Sequence, residues 1–379
     1  MYQIEIKRFI CGILLTDEPL RIRMYNVGLG DCLLVSIPAI RGQKHLLIDF
    51  GSTRGKNKKD LEEIWKNIQT QVGDDDLAVI LTHGHMDHFK GLYNHLDDLD
   101  NKASVLVTTY HLRTKETRRL GTREGPVLSS LDSHLSNLRG RLGRGDMDED
   151  TEEIAQERVD TDEMLDEICQ RIGNRVRYVH RGSRGILTAF LKGTRSSVDI
   201  LAPEKENEVY LDASFGRVLS KDRQKKLGRG LILQALKERI SDRDNQGIRD
   251  ILWAERSYDN ETSLVLLLNW KGKKILFAGD AEDVSWKIMH DKGVLEPFDV
   301  LKVSHHASKN GTPLKESEIW RNLMGDEPRA RKFLVSTYPR KDWGIPSRSL
   351  LKELSSFGEI ESTEKVKGDS GFVEICING

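Results

Sequence analysis

A continuous apolar run, Leu77-Ala78-Val79-Ile80-Leu81, ends without a spacer at Thr82-His83-Gly84-His85-Met86-Asp87-His88, after which Phe89, Leu92, Leu96 and Leu99 recur at helical spacing. Five apolar residues in a row fit a strand buried on both faces, and such strands belong to parallel sheets covered by helices. The cluster therefore sits on a strand-to-helix loop, with the helix expected over 88–99, where rigid elements hold side chains that converge from a short loop. Three imidazoles and one carboxylate within six positions are a poor bet for chance in a chain with 11 histidines among 379 residues. Neutral imidazole nitrogens and a carboxylate oxygen suit Zn, Mn, Fe or Ni, and H-x-H-x-D-H spacing can divide its ligands between two adjacent ions.

A metal held by His83, His85, Asp87 and His88 alone would be open on one side. Two further segments place suitable groups at strand ends: Gly279-Asp280-Ala281-Glu282 and Ser304-His305-His306-Ala307-Ser308. Taken alone, Gly-Asp is a turn signal. In the same strand-then-loop setting as the histidines, Asp280 can bridge two cations with its two oxygens. Asp49, at the end of Leu47-Ile48-Asp49, suits the carboxylate that accepts the outward N–H of a metal-bound imidazole, although a cap or turn is an equal reading; Asp31 is a weaker case of the same kind.

Strands are expected at 21–27, 32–37, 45–49, 105–109, 175–180, 197–201, 300–303, 333–336 and 372–377, with a hairpin over 262–268 and 274–278 and a helix near 347–355. Residues 9–15, after Lys7-Arg8, read as a first strand because no small-residue cleavage site follows them. Between these elements the character changes. Residues 113–174 and 205–258 read as charged helical insertions into one domain spanning 1–379, with basic clusters at 113–123 and 221–229. The plainer view of those clusters is a solvated helix face. His45, His95, His134, His290, Trp253 and Trp286 are assigned to packing.

Lys+Arg total 59 against Asp+Glu 60, so no global field draws the chain onto nucleic acid or anionic lipid, and any such affinity must be local. The four cysteines form no C-x-x-C pair and fit a reducing compartment, and no run reaches the roughly 20 apolar residues that span a bilayer. A cytoplasmic location without a membrane span is expected.

Together, Asn26-Val27-Gly28-Leu29-Gly30-Asp31-Cys32, Ile48-Asp49-Phe50-Gly51, the 82–88 cluster, Asn260-Glu261-Thr262-Ser263-Leu264-Val265 and the segments around Asp280 and His306 resemble the ordered motifs of the metallo-β-lactamase superfamily. Their wording is similar to the hydrolase domain of ComEC-type DNA-internalisation proteins. The resemblance implies an α/β fold, an αββα sandwich of two mixed β-sheets flanked by helices, with two divalent metal ions at one edge, Zn foremost and Mn second. It implies His83 and His85 on the first ion, Asp87 and His88 on the second, Asp280 between them and His306 completing the second, with His305 as a substitute or a substrate-facing neighbour. The third-motif histidine has two candidates, His111 and His180. Two departures stand out: Ala307-Ser308 where relatives carry Gly-Ser, and Ile345 before Pro346 where relatives often carry histidine.

Such a site implies a hydrolase, because two cations sharing a carboxylate bring the pKa of a bridging water toward neutrality; Asp87 would orient that water and His305 would serve as the acid. The first expectation for the substrate is a phosphodiester in nucleic acid or a nucleotide. Ester, thioester or lactam hydrolysis is the alternative, and a metal-stabilised subunit that binds protein partners through its charged insertions is a third.

Overall fold

The computed structural model describes residues 18–112, 136–142, 144–219, 228–241, 245–314, 317–325, 329–366 and 371–379. The expected strand at 9–15, the basic cluster at 113–123, most of that at 221–229, and His134 lie outside the described residues.

Seven strands form the first sheet in the order β13-β1-β2-β3-β4-β5-β6, with β1 Leu20–Tyr25, β2 Cys32–Pro38, β3 Gln43–Phe50, β4 Asp76–Leu81, β5 Ala103–Thr109, β6 Val176–Val179 and β13 Phe372–Ile377. Pairing is antiparallel from β13 to β3 and parallel from β3 to β6. The second sheet runs β12-β11-β10-β9-β8-β7, with β7 Ser196–Ala202, β8 Val265–Trp270, β9 Lys273–Phe277, β10 Val300–Lys302, β11 Lys332–Val335 and β12 Glu359–Ser362. It is antiparallel from β7 to β9 and parallel from β9 to β12.

The inner faces of the two sheets bury Ile22, Val35, Leu46, Ile80 and Val107 against Leu266, Leu268, Phe277, Val300 and Leu334. Helices cover both outer faces. On the first, α1 Lys58–Val72, α2 Met86–Asn94 and α3 Glu149–Ile172 insert Ile64, Trp65, Phe89, Leu92, Leu165 and Ile168. On the second, α5 Asp283–Asp291 contributes Trp286 and Met289; α4 Asn245–Glu261 precedes it in the chain. The layers are thus α, β, β, α, the sandwich of mixed sheets implied above. Parallel strands β3, β4, β9, β10 and β11 send their C-terminal ends to one edge, where open α/β sheets gather ligands.

Several expected boundaries shift for local reasons. The helix expected over 88–99 is two, α2 and a second at Leu96–Lys102, broken at His95 (φ −119°, ψ 31°), whose ring instead stacks 5.2 Å from Trp65. Residues 262–264 do not extend β8; Leu264 N–H donates to the Thr82 carbonyl at 2.9 Å, pinning the start of β8 to the histidine cluster. The hairpin turns on Lys271 and Gly272, both at positive φ, as a tight two-residue connection needs. β12 and α1 were not foreseen, β12 because a four-residue Glu-Ile-Glu-Ser edge strand carries almost no apolar signal. Trp253 is 54% exposed instead of packed, whereas Trp286 is buried with its indole N–H on the Gly311 carbonyl.

Candidate metal centre

Backbone contacts bring the edge together before any side chain does. Asp31 N–H donates to the Asp87 carbonyl at 3.0 Å, and Gly51 N–H to the Asp31 carbonyl at 3.1 Å. A Cβ on Gly51 would stand 2.4 Å from His88 N, and one on Gly30 2.4 Å from the Asp87 carbonyl oxygen, so only glycine allows these chains to approach. The start of α2 is thereby clamped between the β1–β2 and β3–α1 connections. On the second sheet, His305, His306 and Ala307 all take positive φ (47°, 51° and 63°), a conformation costly for residues with a Cβ. The Gly-Ser of relatives would relieve that cost at position 307.

Four ligand-type atoms converge from three elements. Asp87 Oδ2 lies 3.0 Å from His306 Nε2 and 4.0 Å from His88 Nε2; Asp280 Oδ2 lies 3.3 Å from His88 Nε2 and 3.7 Å from His306 Nε2. Beside them, His83 Nε2 and His85 Nδ1 face each other at 3.0 Å, and His83, His88 and Asp280 also offer atoms within 4.8 Å of one another. The two groups of atoms meet at His88 and Asp280.

Outer contacts fix which nitrogen each ring presents. Thr82 Oγ1 donates to Asp49 Oδ2 at 2.7 Å and so accepts from His83 Nδ1 at 3.1 Å, leaving His83 Nε2 with a lone pair. His88 Nδ1 donates to Asp49 Oδ2 at 2.8 Å, and His306 Nδ1 to the Ser336 carbonyl at 3.2 Å, so both present Nε2. Asp49 Oδ1 also accepts from Thr82 N–H. Asp31 forms a buried ion pair with Lys302, and its Oδ1 lies 3.6 Å from His306 Nδ1.

The electrostatics ask for positive charge. Asp31, Asp49 and Asp280 are all but fully buried, Asp87 stands at the rim, and Lys302 is the buried ammonium among them. Burial opposes a charged His88, yet Asp280, Asp49 and Asp87 push its pKa well up. A proton drawn onto a buried imidazole by three carboxylates marks a place where a cation is favoured. Burial alone would raise the carboxyls of Asp87 and Asp280; His88 and His306 override it and hold both well below the usual range. Burial lowers His85 to about 3 and His83 well below its ordinary value, so these two rings are neutral and available as ligands. Among the described residues His88 Nε2 and Asp280 Oδ1 are buried without hydrogen-bond partners. Unpartnered ring nitrogen and carboxylate oxygen, neutral rings and clustered carboxylates together fit divalent cations.

The two candidates for a third-motif ligand are not brought to this cluster. His111 Nε2 donates to the Glu204 carbonyl at 2.6 Å and its Nδ1 accepts from Tyr258 O–H at 3.1 Å. His180 Nδ1 donates to the Arg181 carbonyl at 2.8 Å, and its ring packs edge-on against Tyr110. Neither candidate joins the cluster: His111 ties the end of β5 to Glu204 and Tyr210, and His180 holds the turn after β6. His305 stands at the rim, its Nδ1 3.0 Å from Glu282 Oε1, which also accepts from Asn260 Nδ2 at 2.9 Å. Burial is outweighed by Asp280 and Glu282, and the His305 pKa is raised. Lys302 and Ser336 escaped the sequence reading as site residues; Glu282, two residues past Asp280, and Asn260, which opens the Asn260–Val265 motif, stood inside segments already singled out but without a role of their own.

No curated protein matches the chain. Among solved structures it is similar to a CmlA beta-hydroxylase variant (13% identity over 94% of this chain and 54% of that one, TM-score 0.40). It is also similar to a long form RNase Z from yeast (11%, 94% and 41%, TM-score 0.38) and to a protein of unknown function from Enterococcus faecalis (11%, 91% and 76%, TM-score 0.33). The chain spans about half the length of the first, and likeness at these levels says nothing of activity. Among the described residues no helix is long and apolar enough to cross a membrane. Residues 25–161, which run from the end of β1 into α3 and carry His83 to His88, match the family model of the metallo-β-lactamase superfamily.

Proposed function

We propose that this chain is a hydrolase dependent on two divalent metal ions, most simply zinc, and that it cleaves phosphodiesters in nucleic acid or a nucleotide. The observation that carries the reading is the convergence of Asp87, His88, Asp280 and His306 on one point beside the His83–His85 pair, with outward nitrogens held by Asp49, Thr82 and Ser336. When bound, the cations supply a water acidified toward neutrality and positive charge against the oxygens of the bond being cut.

The chain's own residues do the rest. His83, His85, Asp87, His88, Asp280 and His306 would hold the ions, and Asp87 at the rim would orient the attacking water. His305 Nε2, 4.0 Å from Asp280 Oδ2, points toward the same centre while Glu282 fixes its Nδ1. A protonated imidazole held by a carboxylate suits delivery of a proton to a poor leaving oxygen, as an alkoxide leaving from a phosphodiester requires. The segments similar to the ComEC-type hydrolase favour the same bond class.

Hydrolysis of bis(p-nitrophenyl) phosphate and of single-stranded DNA and RNA, with Zn2+ or Mn2+ supplied, tests the proposal. Turnover should be lost on chelation and fall by at least about 100-fold in Asp87→Ala. Nucleic-acid binding should weaken as salt rises. Hydrolysis of esters or thioesters without any phosphodiester turnover would overturn the substrate class while leaving the metal centre standing.

A further inference from the structure

Each candidate imidazole but one has an oxygen close behind it. His83 has Thr82, His88 has Asp49 and His306 has Ser336, whereas His85 Nε2 is buried and has no hydrogen-bond partner among the described residues. With Nδ1 turned toward His83, Nε2 must carry the ring's hydrogen when His85 serves as a ligand. The carboxylate nearest it is Asp259, with Oδ2 at 3.9 Å, one step longer than a hydrogen bond of about 2.8 Å.

Asp259 comes from the last turn of α4 and is not alone. Arg158 of α3 reaches it with Nη1 at 3.4 Å, while its Nε meets Glu255 Oε2 at 3.1 Å and its Nη2 meets Asp162 Oδ1 at 3.3 Å. All four residues are under 10% exposed. Arg158 thus gathers Asp259 and Glu255 of α4 and Asp162 of α3 onto one guanidinium and joins the two helices by charge. Asp259 faces His85 from the Nε2 side of the ring, while Nδ1 faces His83. A small cavity, about 30 Å³, whose wall includes His85, Met86, Arg158, Thr161, Leu252 and Arg256 adjoins the ring.

We propose that Asp259 is the positioning carboxylate of His85, and that through Arg158 it couples the packing of α3 and α4 to metal occupancy at the His83–His85 position. With a cation held by His83 and His85, the His85 Nε2–H would be a stronger donor and Asp259 would be the carboxylate placed to accept from it. The charged insertions thereby acquire a task at the metal centre that does not depend on gripping substrate. The proposal rests on the metal-centre reading above.

Titration of the metal-free protein with Co2+, whose visible absorption reports the coordinating groups, tests it without reference to turnover. In Asp259→Asn the affinity for the equivalent bound by His83 and His85 should fall 10- to 100-fold, the other equivalent should bind as in the wild type, and Asp259→Glu should restore most of the loss. An Asp259→Asn protein that unfolds like the wild type when metal-free, and takes up both equivalents with unchanged affinity and spectrum, overturns the role of Asp259. Hydrogen exchange on the wild type gives a second arm that no folding defect can obscure. Binding of that equivalent should slow exchange in 149–172 and 245–261, and protection confined to 82–88, 280 and 305–306 overturns the coupling. A wild type that binds no Co2+ overturns the metal-centre reading itself and this one with it, a different outcome from an indifferent Asp259→Asn.

Discussion

His111 shows how a residue of the right type at the right place in the chain is turned to another use. Burial lowers its pKa to about 4, and in the neutral ring both nitrogens are engaged, one donating to Glu204 and one accepting from Tyr258. Protonation would put a second N–H against the Tyr258 hydroxyl. The folded state therefore binds fewer protons than the unfolded chain between pH 6.5 and 4, so the contribution is fully present above about 6.5 and is lost as pH falls toward 4. Its ceiling is about 3 kcal/mol. Urea unfolding at pH 7 and pH 4.5 should show wild type losing more stability than His111→Gln, by up to about 2.5 kcal/mol over that interval; equal losses would remove His111 from the account. His111 read as a ligand candidate in the sequence because position after a strand was the only signal. The Glu204 carbonyl and the Tyr258 hydroxyl that claim its ring are 93 and 147 residues away in the chain.

Elements were legible where a single periodicity ruled them. β4, β8 and β9 announced themselves through apolar runs, and the 82–88 cluster through its composition, since six neighbouring residues carry their own statistics. What the sequence hid were contacts made by main chain and by charge: the Lys302–Asp31 pair under the centre, the Glu282–His305 pair at its rim and the helix α1. Gly51 belongs to the same class. Its substitution by alanine places a methyl 2.3 Å from the Asp87 carbonyl carbon, and the clamp on α2 must open. Gly51→Ala should cost about 3 kcal/mol or more and weaken metal binding in step. Gly173→Ala, where the added methyl meets nothing within 4 Å but φ is +61°, should cost about 1–2 kcal/mol and leave metal binding unchanged. Thermal unfolding of the pair, with and without Co2+, distinguishes a close approach from a merely left-handed turn.

Across the whole molecule the centre is assembled from both sheets. Asp87 and His306, 3.0 Å apart in space, are separated by 219 residues of chain, while His83, His85, Asp87 and His88 span only six. Metal loading should raise the thermal midpoint and chelation should reverse it; at a free metal concentration 100 times the native Kd, linkage sets the gain at about 2.7 kcal/mol if only the native state binds. The local cluster breaks that condition. Three imidazoles and a carboxylate within six residues can capture a cation before the sheets have met, so the observed gain should fall short of the linkage value, and a peptide covering 77–95 should bind Zn2+ in isolation; a gain at the full linkage value with an inert peptide would refute this. In a chain built this way four of the six candidate ligands stand together just after β4, well ahead of Asp280 and His306. If that segment takes up a cation before the second sheet arrives, the metal supplied while the chain is made should weigh on which ion the finished site retains, and refolding in mixed Zn2+ and Mn2+ added before or after folding should give different metal contents.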